Sequence, residues 1–176
     1  MAQEEQQWQP VRNSSPREIT LAEVIPQTAQ YYCLVDASWK NQTEPSGIGW
    51  SLYSIQGIQI LQGSSSVQPT NTAFEAEALA MRMATQQLRA LRFTNVALFS
   101  DCKRVIDEIK QGMNMETLSN VCITEAHSMI QDIYSLSKEQ DFTFHYISRI
   151  WLHSVDERAK LAREHNQNYV ITWLSS

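Results

Sequence analysis

Four carboxylates stand where a solvated surface charge is not the natural reading. Asp36 lies inside the run YYCLVDASWK, directly behind Tyr32, Cys33, Leu34 and Val35. A carboxylate within so apolar a strand must be paired, hydrogen-bonded or bound to a cation. Asp101 closes the run VALFS at a strand-to-helix junction, and Asp156 opens the last helical segment. For those two a helix-capping role competes with ligation; for Asp36 it does not, because no helix follows. The fourth carboxylate comes from the helical segment 73–91, which carries both Glu75 and Glu77. Residues two apart on a helix point about 200° apart, so only one of them can face a sheet. From Glu77 the face continues through Ala80, Met81, Ala84 and Leu88, small and apolar; from Glu75 it continues through Leu79, Arg82 and Gln86. The pattern selects Glu77.

Acidic side chains from two strands, a helix face and a helix N-terminus that meet at one point repel one another unless a cation lies among them. Hard divalent cations such as Mg2+ take oxygen ligands. Two such ions can activate a water and stabilise the leaving oxygen of a phosphodiester.

The segments that must position these groups follow from pattern. Strands are expected near 31–40, 47–54 and 58–66, joined by a Pro- and Gly-containing link at 41–47 and a turn at Gln56-Gly57, as an antiparallel meander. Asn71 or Thr72 can cap the helix 73–91, whose residues are good helix formers. A short strand at 96–101 precedes a helix ending at Gly112, and ITEAHSMIQDIYSLSK has helical apolar spacing. A strand at 142–148 comes before a last helix, SVDERAKLAREHN, in which Ser154 and Glu157 form a capping-box pattern. The order is β-β-β-α-β-α-α-β-α, a five-stranded mixed sheet with three antiparallel strands first and helices on both faces.

With that order and those motifs, the chain resembles the ribonuclease H-like family, and within it the plant reverse-transcriptase-like ribonuclease H domains. The likeness covers about Tyr31 to His165 and rests on VDASW, AEALAM, FSD, and FHYISR followed by VDERAKLAR. It implies catalytic and metal-binding roles for Asp36, Glu77, Asp101 and Asp156, with two Mg2+ ions (Mn2+ as the alternative). It also implies an RNA–DNA hybrid, or another nucleic acid, as partner, and cleavage of the RNA strand. Leu152 stands where the family has Asn, Arg158 where it has Leu, and Cys102 where Ser is common. Altered surroundings of a metal site commonly lower activity 10–100-fold. The alternative is therefore a domesticated, catalytically weak domain of retroelement origin that binds nucleic acid or protein. His153, beside Leu152, could shuttle protons or simply face solvent.

Composition sets the remaining bounds. The chain has 176 residues, a formal net charge of −5, 43% hydrophobic and 19% charged residues, an ordinary balance for a globular domain. The negative charge excludes a generic basic nucleic-acid coat. Arg82, Arg89, Arg92, Lys103 and Arg104 could form a modest phosphate-facing patch, or a solvated helix surface. Three cysteines, Cys33, Cys102 and Cys122, do not make a disulfide framework or a CxxC site. No apolar run is long enough for a membrane span, and the acidic N-terminus does not read as a signal peptide. An intracellular monomer, in nucleus or cytoplasm, is expected. Residues 1–29, holding three of the five prolines, read as a polar tail or linker with one short turn that docks. Residues 30–170 form the domain and 171–176 a C-terminal tail.

Overall fold

The computed structural model describes residues 20–114 and 125–174. The first nineteen residues, residues 115–124 with Cys122 and the start of the segment ITEAHSMIQDIYSLSK, and the last two residues lie outside them. A short helix α1, Leu21–Val24, precedes strands β1 Tyr31–Ser38, β2 Ser46–Ser54 and β3 Gln59–Val67. Helix α2 spans Ala73–Ala90, β4 Val96–Ser100, α3 Lys103–Asn114, α4 Glu125–Lys138 and β5 Thr143–Tyr146. A 3-10 turn, Arg149–Leu152, leads into α5, His153–Glu164, and β6, Val170–Trp173, ends the described chain. The sheet order is β5-β4-β1-β2-β3-β6. β1, β2 and β3 form the antiparallel meander, while β4 and β5 run parallel to β1.

The sheet therefore has six strands rather than five. β6 pairs antiparallel with β3, from Leu61↔Trp173 to Ser64↔Val170, where a C-terminal tail was expected. Four residues at a sheet edge, mostly exposed, carry too little alternation to announce a strand. The capping box at Ser154 is also absent. The 3-10 turn runs straight into α5, whose first residue is His153, so Ser154 already lies within the helix and no side chain caps it.

The central position of β1 explains its unbroken apolar character, since alternate residues go to opposite faces and both faces are covered. On one face Cys33 and Val35 join Trp50, Leu52 and Leu61 beneath Ala80, Met81, Ala84 and Leu88 of α2. On the other, Tyr32 and Leu34 join Ala97 and Phe99 beneath Leu152 and Val155. Leu21, Val24 and Ile25 pack against this second cluster, so the apolar patch in the polar N-terminal stretch is a docked turn.

Two glycines set how closely α5 approaches. A Cβ at Gly47 would lie 1.8 Å from the Ala159 carbonyl oxygen, and one at Gly49 would lie 2.8 Å from that of Val155. Both obstacles are helix backbone, which cannot swing aside. Replacing Gly47 by Ala must push α5 off the sheet, with an expected loss of about 1–3 kcal/mol, the usual cost of overpacking. Gly112 lies in α3 with nothing within 4 Å of its notional Cβ. Gly112→Ala should therefore be neutral or stabilising by up to about 1 kcal/mol. Denaturant unfolding of the two variants checks the contrast, and a Gly47→Ala chain as stable as the parent would show that α5 is not seated this way.

Candidate metal centre

β1 is longer than its parallel neighbour. Its ladder with β4 ends at Leu34↔Phe99, so beyond that point the β4-side edge of β1 has lost its partner strand. The Ala37 N–H at this edge is instead shared by two carboxylates, Asp36 Oδ1 at 3.0 Å and Glu77 Oε1 at 3.4 Å. The cross-strand partner of Asp36 is Gly49, so the Asp36 side chain lies on the α5 face. There the missing Gly49 side chain brings the first turn of α5 close. Asp101 follows the last residue of β4. The carboxyl ends of parallel strands, where neighbouring connections part, are the usual ligand crevice of an open α/β sheet.

The start of α2 separates its two glutamates. Thr72 Oγ1 accepts from the Glu75 N–H at 3.1 Å, and Glu75 Oε2 accepts from the Asn71 N–H at 2.9 Å. Glu75 is thus consumed in capping. Glu77, two residues on, turns inward. Asp101 is not the cap of α3, because the first bond of the helix runs from the Ile106 N–H to the Cys102 carbonyl at 3.3 Å, which puts Cys102 at the cap position.

Asp36, Glu77 and Asp101 each offer one oxygen, all within 4.8 Å of one another. Asp36 is only 3% exposed, and one oxygen of Glu77, Oε2, is buried without a hydrogen-bond partner. Burial, then the charges of Asp101 and Asp156, raise the Asp36 carboxyl from 3.8 to about 7, against the opposing hydrogen bonds from Glu77 and Ala37. Glu77 is pushed well above its ordinary value, by burial first and then by Asp36 and Asp101. Burial also raises Asp101, with Arg149 pulling the other way. Such crowding of carboxyl groups cannot stay fully ionised without a counter-charge.

Asp156 stands at the rim, outside that group of three. Its carboxylate is 3.1 Å from Lys160 Nζ and 3.9 Å from an Arg149 guanidinium nitrogen. His153 is exposed at the first residue of α5. Four of the five cations considered as a phosphate patch are already ion-paired: Arg82 with Asp132, Arg89 with Glu139, Lys103 with Asp107 and Arg104 with Glu108. Sequence reasoning missed Lys160, although its i,i+4 spacing from Asp156 is a readable signal. It also missed the Ala37 N–H, a backbone group with no signature in residue type.

A raised carboxyl pKa means that the folded chain binds more protons than the unfolded one between the two values. Its contribution to stability is therefore present below 3.8 and is lost as pH rises through about 7. The metal-free chain should melt at a lower temperature at pH 8 than at pH 5.5. Millimolar Mg2+ should raise the melting temperature more at pH 8, because metal binding requires deprotonated ligands. Calorimetry with and without Mg2+ at both values checks this, and an equal or larger Mg2+ effect at pH 5.5 would contradict it.

The sequence profile of the family described as reverse transcriptase-like matches residues 34–162. No curated protein matches the chain in sequence. Among solved structures it is similar to ribonuclease H1 of Halobacterium salinarum NRC-1, at TM-score 0.67 and 17% identity over 77% of this chain and 98% of that one. It is similar to LC11-RNase H1 in complex with an RNA/DNA hybrid, at TM-score 0.65 and 17% identity over 77% of this chain and 97% of that one. It also matches a foamy viral protease-reverse transcriptase in complex with an RNA/DNA hybrid, at TM-score 0.61 and 14% identity over 91% of this chain and 23% of that one. At these identities the likeness is one of fold: a ribonuclease H-like mixed sheet with helices.

Proposed function

The chain belongs to the reverse transcriptase-like family, and from that premise we propose that it is a metal-dependent nuclease that cleaves the RNA strand of RNA–DNA hybrids. The observation that carries the reading is the convergence of Asp36, Glu77 and Asp101 on one point, with oxygens within 4.8 Å of one another. The donor set is all oxygen, and the buried Glu77 Oε2 lacks a hydrogen-bond partner; both fit a hard divalent cation such as Mg2+. Asp36, Glu77 and Asp101 would hold it, with Asp156 contributing from the rim to a second ion. Such ions, when bound, supply an activated water and charge stabilisation at the leaving 3′ oxygen.

The chain's own groups do the rest. The Ala37 N–H holds Asp36 and Glu77 in register with each other. Gly47 and Gly49 let α5 bring Asp156 towards Asp36, close enough for its charge to act on that carboxyl. Discrimination of RNA from DNA would come from contacts to 2′-hydroxyl groups along the RNA strand.

A weak or inactive binding module is the second reading, favoured by one observation. Asp156 is ion-paired with Lys160 at 3.1 Å, which competes with a metal for its oxygens, while the Arg149 guanidinium lies farther off at 3.9 Å. Cleavage separates the two. On a labelled hybrid with Mg2+, Glu77→Gln should abolish cleavage while the fold survives, since it removes one ligand charge and little volume. Glu75→Gln should leave activity within a few fold and act on stability through the cap, by about 0.5–2 kcal/mol at most. Asp101→Asn serves as the inactive control. Reversed outcomes would put the metal ligand on the wrong glutamate, and cleavage indifferent to all three substitutions would show that the domain is not the nuclease.

A further inference from the structure

Arg163 has no part in the carboxylate cluster, yet it is built into its border. Its side chain is only 20% exposed, and its Nε donates to Ser38 Oγ at 3.0 Å. Ser38 is itself buried and follows Asp36 by two residues in β1. Residues two apart in a strand share a face and lie roughly 7 Å apart. The α5 face thus carries first the carboxylates and then, one step along β1, a guanidinium. Its placement depends on Gly47, whose notional Cβ would lie 3.0 Å from Arg163 Cβ and closer still to the Ala159 carbonyl.

The way this guanidinium is held matters. Most paired cations of the described residues meet carboxylates that neutralise them. Arg163 is held at Nε by a neutral hydroxyl, which fixes the plane of the group and leaves its charge uncancelled there. The carboxylate near it is that of Glu164, 56% exposed and 3.9 Å from a terminal nitrogen, too far for a hydrogen bond. A fixed guanidinium whose terminal nitrogens hydrogen-bond to none of the described residues, and whose ion pair with Glu164 is long and exposed, suits bidentate capture of a phosphate.

We propose that Arg163, oriented by Ser38, is a phosphate anchor that binds a backbone phosphate of the nucleic-acid strand beside the one at the carboxylate cluster. This rests on the nuclease reading of that cluster and adds to it the point that fixes the strand's path across α5. A net negative chain gains little from diffuse attraction, so one oriented cation beside an anionic centre has a large share of the positioning. Arg163 is a binding residue in this account and does not touch the reacting atoms.

The test is binding of a short fluorescein-labelled RNA–DNA hybrid by anisotropy, in an Asp101→Asn background that blocks cleavage, across a series of salt concentrations. Arg163→Gln should weaken binding about tenfold and reduce the slope of log affinity against log salt by about 0.7–0.9, the loss of one phosphate contact. Arg163→Lys should keep the slope and bind a few fold more weakly than the parent. Ser38→Ala should also keep the slope, because the charge remains. A merely structural staple would lower the melting temperature of Arg163→Gln and leave the slope unchanged, which would overturn the proposal. Should Arg163→Gln not fold, nitrogen NMR of the Arg163 guanidinium in the Asp101→Asn chain decides. Its terminal signals should shift on adding hybrid, and silence while the hybrid is bound would overturn the anchor. A chain that binds no hybrid at low salt would sink the nuclease reading and the anchor together. Binding with an unaltered slope in Arg163→Gln would remove the anchor alone.

Discussion

Mutual repulsion among carboxylates at the end of β1 is the constraint on which the rest of the arrangement turns. Asp36 and Glu77 sit at one N–H, Asp36 buried and Glu77 with one buried oxygen that has no partner, and the partly exposed Asp101 lies beside them. A core built for stability alone would not place them there, because buried unpaired charge is among the costliest features a fold can hold. The chain relieves the strain in part by raising the pKa of Asp36 and Glu77, so that bound protons remove part of the negative charge. A divalent ion would relieve it fully.

The surrounding architecture serves that point. β1 overruns β4 and so exposes the Ala37 N–H to the carboxylates. Thr72 and Glu75 close the N-terminus of α2 between them, which fixes the rotation of the helix and turns Glu77 inward. Gly47 and Gly49 seat α5 on β2, bringing Asp156 to the rim and Arg163 against Ser38. The two faces of β1 are thereby used differently. The face under α2 is a conventional apolar core, whereas the α5 face passes from Tyr32 and Leu34 through Asp36 to Ser38, from packing to chemistry within one strand.

Much of this could be read from residue order, for reasons that are physical. An apolar run interrupted by a single Asp is costly unless the Asp is used, and the inward face of α2 is visible as Ala80, Met81, Ala84 and Leu88. What could not be read depended on neighbours distant in sequence. β6 exists because β3 offers it an edge, and VITW alone is too short to declare itself. The Ser154 cap failed because the 3-10 turn at Arg149–Leu152 starts the helix early, a continuity that capping motifs do not encode. The pairing of Arg163 with Ser38 spans 125 residues, and no local pattern predicts it.

For Asp36, Glu77 and Asp101 to take up a divalent cation together, the protons that burial holds on Asp36 and Glu77 must leave. Titration calorimetry of Mg2+ binding near pH 7, repeated in buffers of different ionisation enthalpy, counts the protons released on binding. With Asp36 near half-protonated at about 7 and Glu77 held well above its ordinary range by burial and by its neighbouring carboxylates, binding should release a substantial fraction of a proton or more, and the release should shrink in Glu77→Gln. Mg2+ binding with no proton release, or release identical in Glu77→Gln, would contradict the account.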